Sequence, residues 1–268
     1  MEQITSRTNP LCTHFRKLAS SAAYRRETGE FLCDSPKLLE EAELWGATIP
    51  ALMYTEGAEL PFLPEGAASR AVQVSESVMK SVSPMETPQG VVFSCVSMRH
   101  DPPEDLGPDA CGRQRYVLLD GVQDPGNVGA VLRSADAFGW TAILLPGCAD
   151  VHNPKTVRAA MGVHFRSVIY QDTLDHAAAL IRQAGLPLYA AALREDTMDL
   201  RQADLRRCAV IIGSEGRGVS PEALALCDRT LKIPMDRTCE SLNAAAAAAV
   251  LLWEGARDDQ REGRACRR

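Results

Sequence analysis

Three stretches of this chain put glycines and polar side chains where short apolar runs stop. The first, DPGNVGAVLRSADAFG, follows an apolar run ending at Asp120. Pro125-Gly126 makes a turn, and Gly126 and Gly129 keep the helix start near Asn127 uncrowded, as at anion-binding helix N-termini. Arg133 and Asp136 sit at i and i+3 on one helical face. A surface ion pair accounts for them at least as well as a catalytic arginine. The second stretch is GSEGRGVS, residues 213–220. Its glycines permit positive φ and close backbone approach. Glu215 repels phosphate, so the loop suits a hydroxyl-rich or cationic ligand; a flexible turn with Ser220 capping the next helix is the plainer alternative. The third is IPMDRTCESLNAAAAAAVLLWE. Here Ser241 is the expected N-cap of an alanine-rich helix whose slim side can lie against a ligand, a backbone or a partner.

These loops need strands that end together. From residue 115 onward, apolar runs at 116–119, 141–145, 167–170, 188–193, 209–212 and 230–233 alternate with helical stretches at 127–138, 154–161, 174–184, 221–226 and 242–254. That alternation predicts a mostly parallel sheet covered on both faces, whose ligands bind beyond the carboxyl ends of the strands. Residues 1–98 read as a smaller α/β unit, with a helix over 11–24 stopped by Gly29, strands at 30–33, 47–54 and 91–96, and helices at 37–45 and 76–81. Residues 99–114, rich in proline and acids, read as a linker. The expected division is therefore 1–98, 99–114 and 115–268.

Composition narrows the classes. The 268 residues are 46% hydrophobic and 24% charged, enough for a sizeable core. No apolar run is long enough to span a bilayer, and the N-terminus lacks the apolar region of a secretory signal, so a cytoplasmic protein is expected. Nine scattered cysteines without CxxC argue against zinc and a disulfide framework; reduced thiols are expected. The net charge of −6 opposes non-specific nucleic-acid binding. Residues 1–98 carry 8 basic against 12 acidic groups, and 99–268 carry 21 against 23, so neither half is basic.

The three stretches together, in this order and spacing, resemble the signature motifs of the SpoU (TrmH-like) RNA ribose 2′-O-methyltransferases, over about residues 116–254. NPKTVRAAMGVHFR resembles the segment between the family's first and second motifs. TGEFLCDSPKLLEEA and SVMKSVSPMETPQGVVF resemble the RNA-substrate-binding domain of many members. The resemblance implies an α/β fold: a C-terminal parallel-sheet domain with a deep trefoil knot, one of the rare exceptions to unthreaded topology, plus a small N-terminal α/β (L30e-like) RNA-binding domain. It implies S-adenosylmethionine as cofactor, RNA as substrate, and a homodimer through the knotted domain, with no membrane and no metal.

Residue by residue, Arg133 matches the family's catalytic arginine. Asn127, Glu215, Ser241 and Asn243 match motif positions that orient the loops, the cofactor or the ribose. Gly213, Ile233 and Leu242 match positions that hold the adenosine; Gly218 and Met235 share those loops, and Leu193 ends a strand at the same pocket. Arg16, Lys17, Arg25, Arg26, Lys155, Arg158 and Arg166 are candidate phosphate contacts, each singly as well read as a solvated charge. The implied reaction moves a methyl from a sulfonium to a ribose 2′-oxygen, rRNA before tRNA. A guanidinium is a poor base, so the arginine either acts with help from an RNA phosphate or positions the hydroxyl. The rivals are a non-catalytic RNA-binding or ribosome-assembly factor, a base methyltransferase of the same class, and a nicotinamide-dependent oxidoreductase, which would need a GxGxxG turn that this chain lacks.

Overall fold

The computed structural model describes residues 3–60, 70–98, 102–109, 111–194, 197–236, 238, 241–257 and 259. The chain divides into two compact units, Met1–Arg99 with Asp150–Arg166, and His100–Ala149 with Ser167–Arg268.

The first unit contains β1 (Gln3–Ile4), α1 (Pro10–Ser20), α2 (Ala22–Thr28), β2 (Glu30–Cys33), α3 (Pro36–Leu44), β3 (Ala51–Thr55), β4 (Ala71–Val74), α4 (Glu76–Val82) and β5 (Val91–Val96). The helix expected over 11–24 is two helices. Ser21 adopts extended backbone (φ −121°, ψ 110°), and its side chain accepts the Tyr24 N–H to cap the second helix, as serine does at N-caps. The strand expected from 47 begins only at Ala51, after Pro50, which has no N–H to give a ladder. β4 was not legible as a strand, being only four residues of AVQV. The five strands lie in the order β1-β4-β3-β5-β2. One face is packed by Phe15, Leu18 and Met79, the other by Leu38, Leu39, Phe93, Val157 and Phe165.

The second unit opens with β6 (Gln114–Asp120), α5 (Pro125–Phe138) and β7 (Thr141–Leu144). The stretch read as a linker is packed here: Leu106 is buried in this unit's core, Tyr116 Oη donates to Gly107 O at 2.7 Å, and Asp109 accepts from the backbones of Cys111 and Arg113. After β7 the chain forms α6 (Pro154–Ala160) and a 3-10 turn (Val163–Phe165), which pack within the first unit and not, as the sequence boundaries have it, within the second. Arginines fasten this segment: Arg25 to Asp150, Arg158 to Asp34 and Arg166 to Glu41. The second unit then resumes with β8 (Ile169–Gln171), α7 (Leu174–Gln183), β9 (Leu188–Ala191), β10 (Met198–Asp199), β11 (Arg207–Gly213), α8 (Pro221–Leu226), β12 (Arg229–Lys232) and α9 (Ala244–Ala256).

Its seven strands run parallel in the order β10-β12-β9-β11-β6-β7-β8. The parallel α/β sheet expected from the alternation is thus present, with a two-residue edge strand added. The last helix packs on α5. Gly255 permits this contact, since a Cβ there would lie 2.5 Å from the Trp140 ring. Trp140 Nε1 donates to Leu252 O at 3.0 Å, and buried Arg115 holds Gly255 O and Asp259. Among the described residues, six cysteines are free, at 12, 33, 95, 148, 208 and 227. Cys111, in the partly exposed turn around Asp109, is disulfide-bonded, which corrects the expectation of reduced thiols at that position.

Candidate active site

β12, β9, β11 and β6 are neighbours and run the same way, so their carboxyl ends share one edge. The register sets Gly213 beside Asp120 and Leu231 beside Ala191. The loops that follow these strands therefore stand together at the edge where parallel sheets bind ligands.

The 214–218 loop is a tight hairpin. Ser214 and Gly218 exchange both backbone hydrogen bonds, at 3.0 and 2.9 Å, leaving three residues at the tip. Gly218 has φ +69°, the left-handed position that three-residue hairpins use. Gly213 is required by the same fold-back, because a Cβ on it would lie 2.1 Å from the backbone of Gly218 and Val219. The far end is fixed where the Ser220 N–H donates to Asp120 Oδ2 at 2.7 Å and Ser220 Oγ caps α8 through Ala223.

Three of the motif residues meet in one chain of hydrogen bonds. Asn243 Oδ1 accepts the N–H groups of Ala245 and Ala246 at 2.9 and 3.2 Å. This makes Asn243 the N-cap of α9, correcting the expectation of Ser241, which lies exposed two residues earlier. Asn243 Nδ2 donates to Asn127 Oδ1 at 3.1 Å, and Asn127 Nδ2 donates to Glu215 Oε1 at 2.6 Å. Burial raises the Glu215 carboxyl most, but hydrogen bonds from Asn127 and from the backbones of Glu215, Gln123 and Asp124 outweigh it and hold the group below its ordinary value. The site thus carries a fixed carboxylate. Asp124 sets this up by capping α5 through the Asn127 N–H at 3.0 Å. Asp120 and Asp124 were missed from the sequence; an acid at the strand end and another just before Pro125 were their signal.

Arg133 is exposed and takes no part in any ion pair or hydrogen bond among the described residues. The Asp136 carboxylate accepts from Ser167 Oγ, and no ion pair joins it to Arg133 among the described residues. Leu193, Met235 and Leu242 are 70%, 37% and 39% exposed, and Ile233 is half-buried. Large apolar side chains standing in water at adjoining strand ends fit a flat apolar ring, and a carboxylate beside them fits a cation and not a phosphate. Both properties agree with an adenosine sulfonium. Cys148 is no nucleophile: burial pushes its thiol up and Sγ donates to Leu119 O at 3.1 Å. Cys239 lies outside the described residues.

Among the candidate RNA contacts, two are paired within the first unit. Arg25 is 5% exposed and holds Asp150 at 2.6 Å and Leu18 O; Arg158 is tied to buried Asp34. Arg25 therefore acts as an internal fastener, whereas Arg158 keeps 31% of its side chain exposed beside its ion pair with Asp34. Arg166 is likewise held by Glu41 at 2.9 Å. Lys17, Arg26 and Lys155 are exposed, and half-buried Arg16 donates to Arg7 O at 3.1 Å and Thr13 Oγ1 at 3.2 Å.

Residues 114–253 match the SpoU rRNA Methylase family, and residues 9–92 match the MRM3-like substrate binding domain. The 23S rRNA (guanosine(2553)-2′-O)-methyltransferase RlmP of Bacillus subtilis is 32% identical, over 94% of this chain and 98% of its own length. A tRNA (guanosine(18)-2′-O)-methyltransferase of Thermus thermophilus is 39% identical over 55% of this chain and 76% of its own length. The crystal structure of an AdoMet-bound rRNA methyltransferase from Sinorhizobium meliloti superposes with a TM-score of 0.82 at 29% identity, covering 96% of this chain and 97% of that one.

Proposed function

The chain belongs to the SpoU rRNA Methylase family, and from that premise we propose that it transfers a methyl group from S-adenosylmethionine to a ribose 2′-hydroxyl of a structured rRNA. The observation that carries this reading is the bonded chain Asn243–Asn127–Glu215, which ties the three motif loops into one site. rRNA is favoured over tRNA because the rRNA enzyme of Bacillus subtilis aligns along nearly its whole length, whereas the tRNA enzyme matches only about half of this chain.

S-adenosylmethionine supplies an electrophilic methyl on a sulfonium. Leu193, Ile233, Met235 and Leu242 offer the apolar surface for its adenosine, and the 213–218 backbone closes beside it. Asn127, Asn243 and Glu215 hold the loops in register, so catalysis rests largely on positioning. Ser241, two residues before Asn243, orients the ribose. The Arg133 guanidinium, unpaired among the described residues, orients the target hydroxyl through the RNA phosphate next to it; the cofactor would give its methyl with the sulfur leaving as a neutral thioether, and the hydroxyl proton passes to water.

The finer architecture in this reading is a deep trefoil knot in the second unit and an L30e-like RNA-binding domain in the first, which takes in 150–166 as well. Lys17, Arg26, Lys155 and Arg16 supply phosphate contacts in the smaller domain. A homodimer forms through α9, where Val250 and Trp253 are 39% and 52% exposed. No helix among the described residues is long and apolar enough to cross a membrane, in keeping with a cytoplasmic setting.

The deciding experiment incubates the protein with methyl-labelled S-adenosylmethionine and rRNA from a strain lacking the gene, then maps the label by nuclease digestion and mass spectrometry. Label on a ribose is the expected result. Label on a base would replace the reading with base methylation, and absence of cofactor binding by calorimetry would favour a non-catalytic RNA binder.

A further inference from the structure

An RNA-directed protein with a net charge of −6 needs local cations, and the fold removes several of them from use. In the second unit Arg113, Arg115, Arg201, Arg206 and Arg257 are paired to carboxylates, and Arg207 donates to Gln114. Two arginines beside the site differ. Arg194 follows the carboxyl end of β9 and Arg217 follows that of β11, on neighbouring strands of the sheet. Both are exposed, and neither guanidinium has an ion-pair or hydrogen-bond partner among the described residues. Arg182 and Arg229 are also unpaired, but they lie on α7 and at the amino end of β12.

The backbones that carry Arg194 and Arg217 are fixed. Arg217 stands at the three-residue tip closed by the Ser214–Gly218 bridge, and its N–H donates to Ser214 Oγ at 3.3 Å. Glu215, two residues earlier, is bonded to Asn127 and makes no ion pair with Arg217 among the described residues. The Arg194 N–H donates to Thr197 Oγ1 at 2.5 Å, and Thr197 is pinned to Thr230 of β12 at 2.7 Å. A guanidinium on an ordered backbone, exposed and unpaired, is a pre-organised anion contact. The two arginines thus follow the carboxyl ends of adjacent strands, β9 and β11.

We propose that Arg194 and Arg217 grip RNA phosphates flanking the target nucleotide, so that the second unit contributes its own backbone-binding surface beside the catalytic loops. This rests on the methyltransferase reading for the identity of the RNA. The chemistry recognised is an anionic oxygen, which the cofactor carboxylate could also supply, so the test separates the two.

Arg194→Ala, Arg217→Ala, the double variant and both lysine variants would be compared with the parent protein. Binding to protein-free rRNA from a gene-deletion strain is measured over a salt series, and S-adenosylmethionine binding by calorimetry. Each alanine variant should lower the slope of log K against log[salt] by about 0.7 to 0.9, the value of one phosphate contact, and the double variant by about twice that. The KM for RNA should rise several-fold with kcat at saturating RNA retained, and the lysine variants should keep the parental slope. Unchanged slopes in the double variant would overturn the proposal. Weakened cofactor binding with an unchanged slope would overturn it too, by assigning the arginines to the cofactor carboxylate. The salt slope does not depend on turnover, so a parent protein that binds rRNA without methylating it would refute the activity and leave this inference to be decided by the slopes.

Discussion

Asn243 and Asn127 lie 116 positions apart, yet the amide of one donates to the amide oxygen of the other at 3.1 Å. Each amide is used at both ends. Asn243 caps α9 with its oxygen, and Asn127 passes its own N–H to Glu215. Only a side chain with a donor and an acceptor fits the middle position.

Asn127→Ala should therefore release all three loops, and Asn127→Asp should do worse, placing a second carboxylate against Glu215. Misplacing reacting groups by about 1 Å costs about 100-fold in rate, and that is the expected loss in kcat/KM for the alanine variant. The pair is exposed, so thermal unfolding should shift little. Methyl transfer at the parental rate in Asn127→Ala would remove the relay from the mechanism.

Arg133→Ala tests a different link. Its guanidinium has no ion-pair or hydrogen-bond partner among the described residues, so its loss should leave S-adenosylmethionine affinity and the melting temperature as they are while most turnover disappears. The measurement is calorimetry beside single-turnover methyl transfer. Full turnover would end the assigned role.

The glycines of the 213–218 hairpin separate loop folding from ligand clearance. Gly213→Ala puts a Cβ 2.1 Å from the returning backbone, so the hairpin must open and cofactor binding should be lost. Gly216→Ala meets nothing within 4 Å, and its backbone is not left-handed, so cofactor binding should persist. Equal affinities in the two variants would show that the hairpin is not part of the cofactor site.

Strands, helices and the three loops of the second unit were legible because apolar runs, glycines and caps are local signals. Asn127, Glu215 and Asn243 could be singled out by motif position, but their bonding to one another could not, since it depends on the order of β11 beside β6. The same limit hid the aspartate partners of Arg25 and Arg158. A basic residue on a helix looks the same in sequence whether it meets a phosphate or a buried aspartate far along the chain. Ser241 and Asn243 are both good caps by type, and only the hydrogen bonds to Ala245 and Ala246 choose between them.

Arg25→Ala should show the internal role directly. Removing a 5% exposed arginine leaves Asp150 and Leu18 O without their donor. Breaking a buried pair costs about 3 to 5 kcal/mol, and the part-exposed Asp150 keeps this case near the lower end. Lys17→Ala, on the exposed face, should stay within about 0.5 kcal/mol. Urea unfolding compares them; equal midpoints would return Arg25 to the list of RNA contacts.

His164 gives the first unit an acid-side weakness. It is buried among Phe31, His152 and Phe165, and its Nε2 meets Val151 O at 2.8 Å. Burial pushes its pKa down from 6.5 to about 4. Between those values the unfolded chain binds a proton that the folded one refuses, so stability rises with pH there. The contribution is complete above about pH 6.5 and falls away as pH drops toward 4, by about 3 kcal/mol in all. His164→Gln keeps a donor for Val151 O and removes the titration. Its unfolding free energy should therefore be flatter than the parent's between pH 6.5 and 4, read from urea melts across that window. A parental slope in the glutamine variant would place the acid sensitivity on other groups.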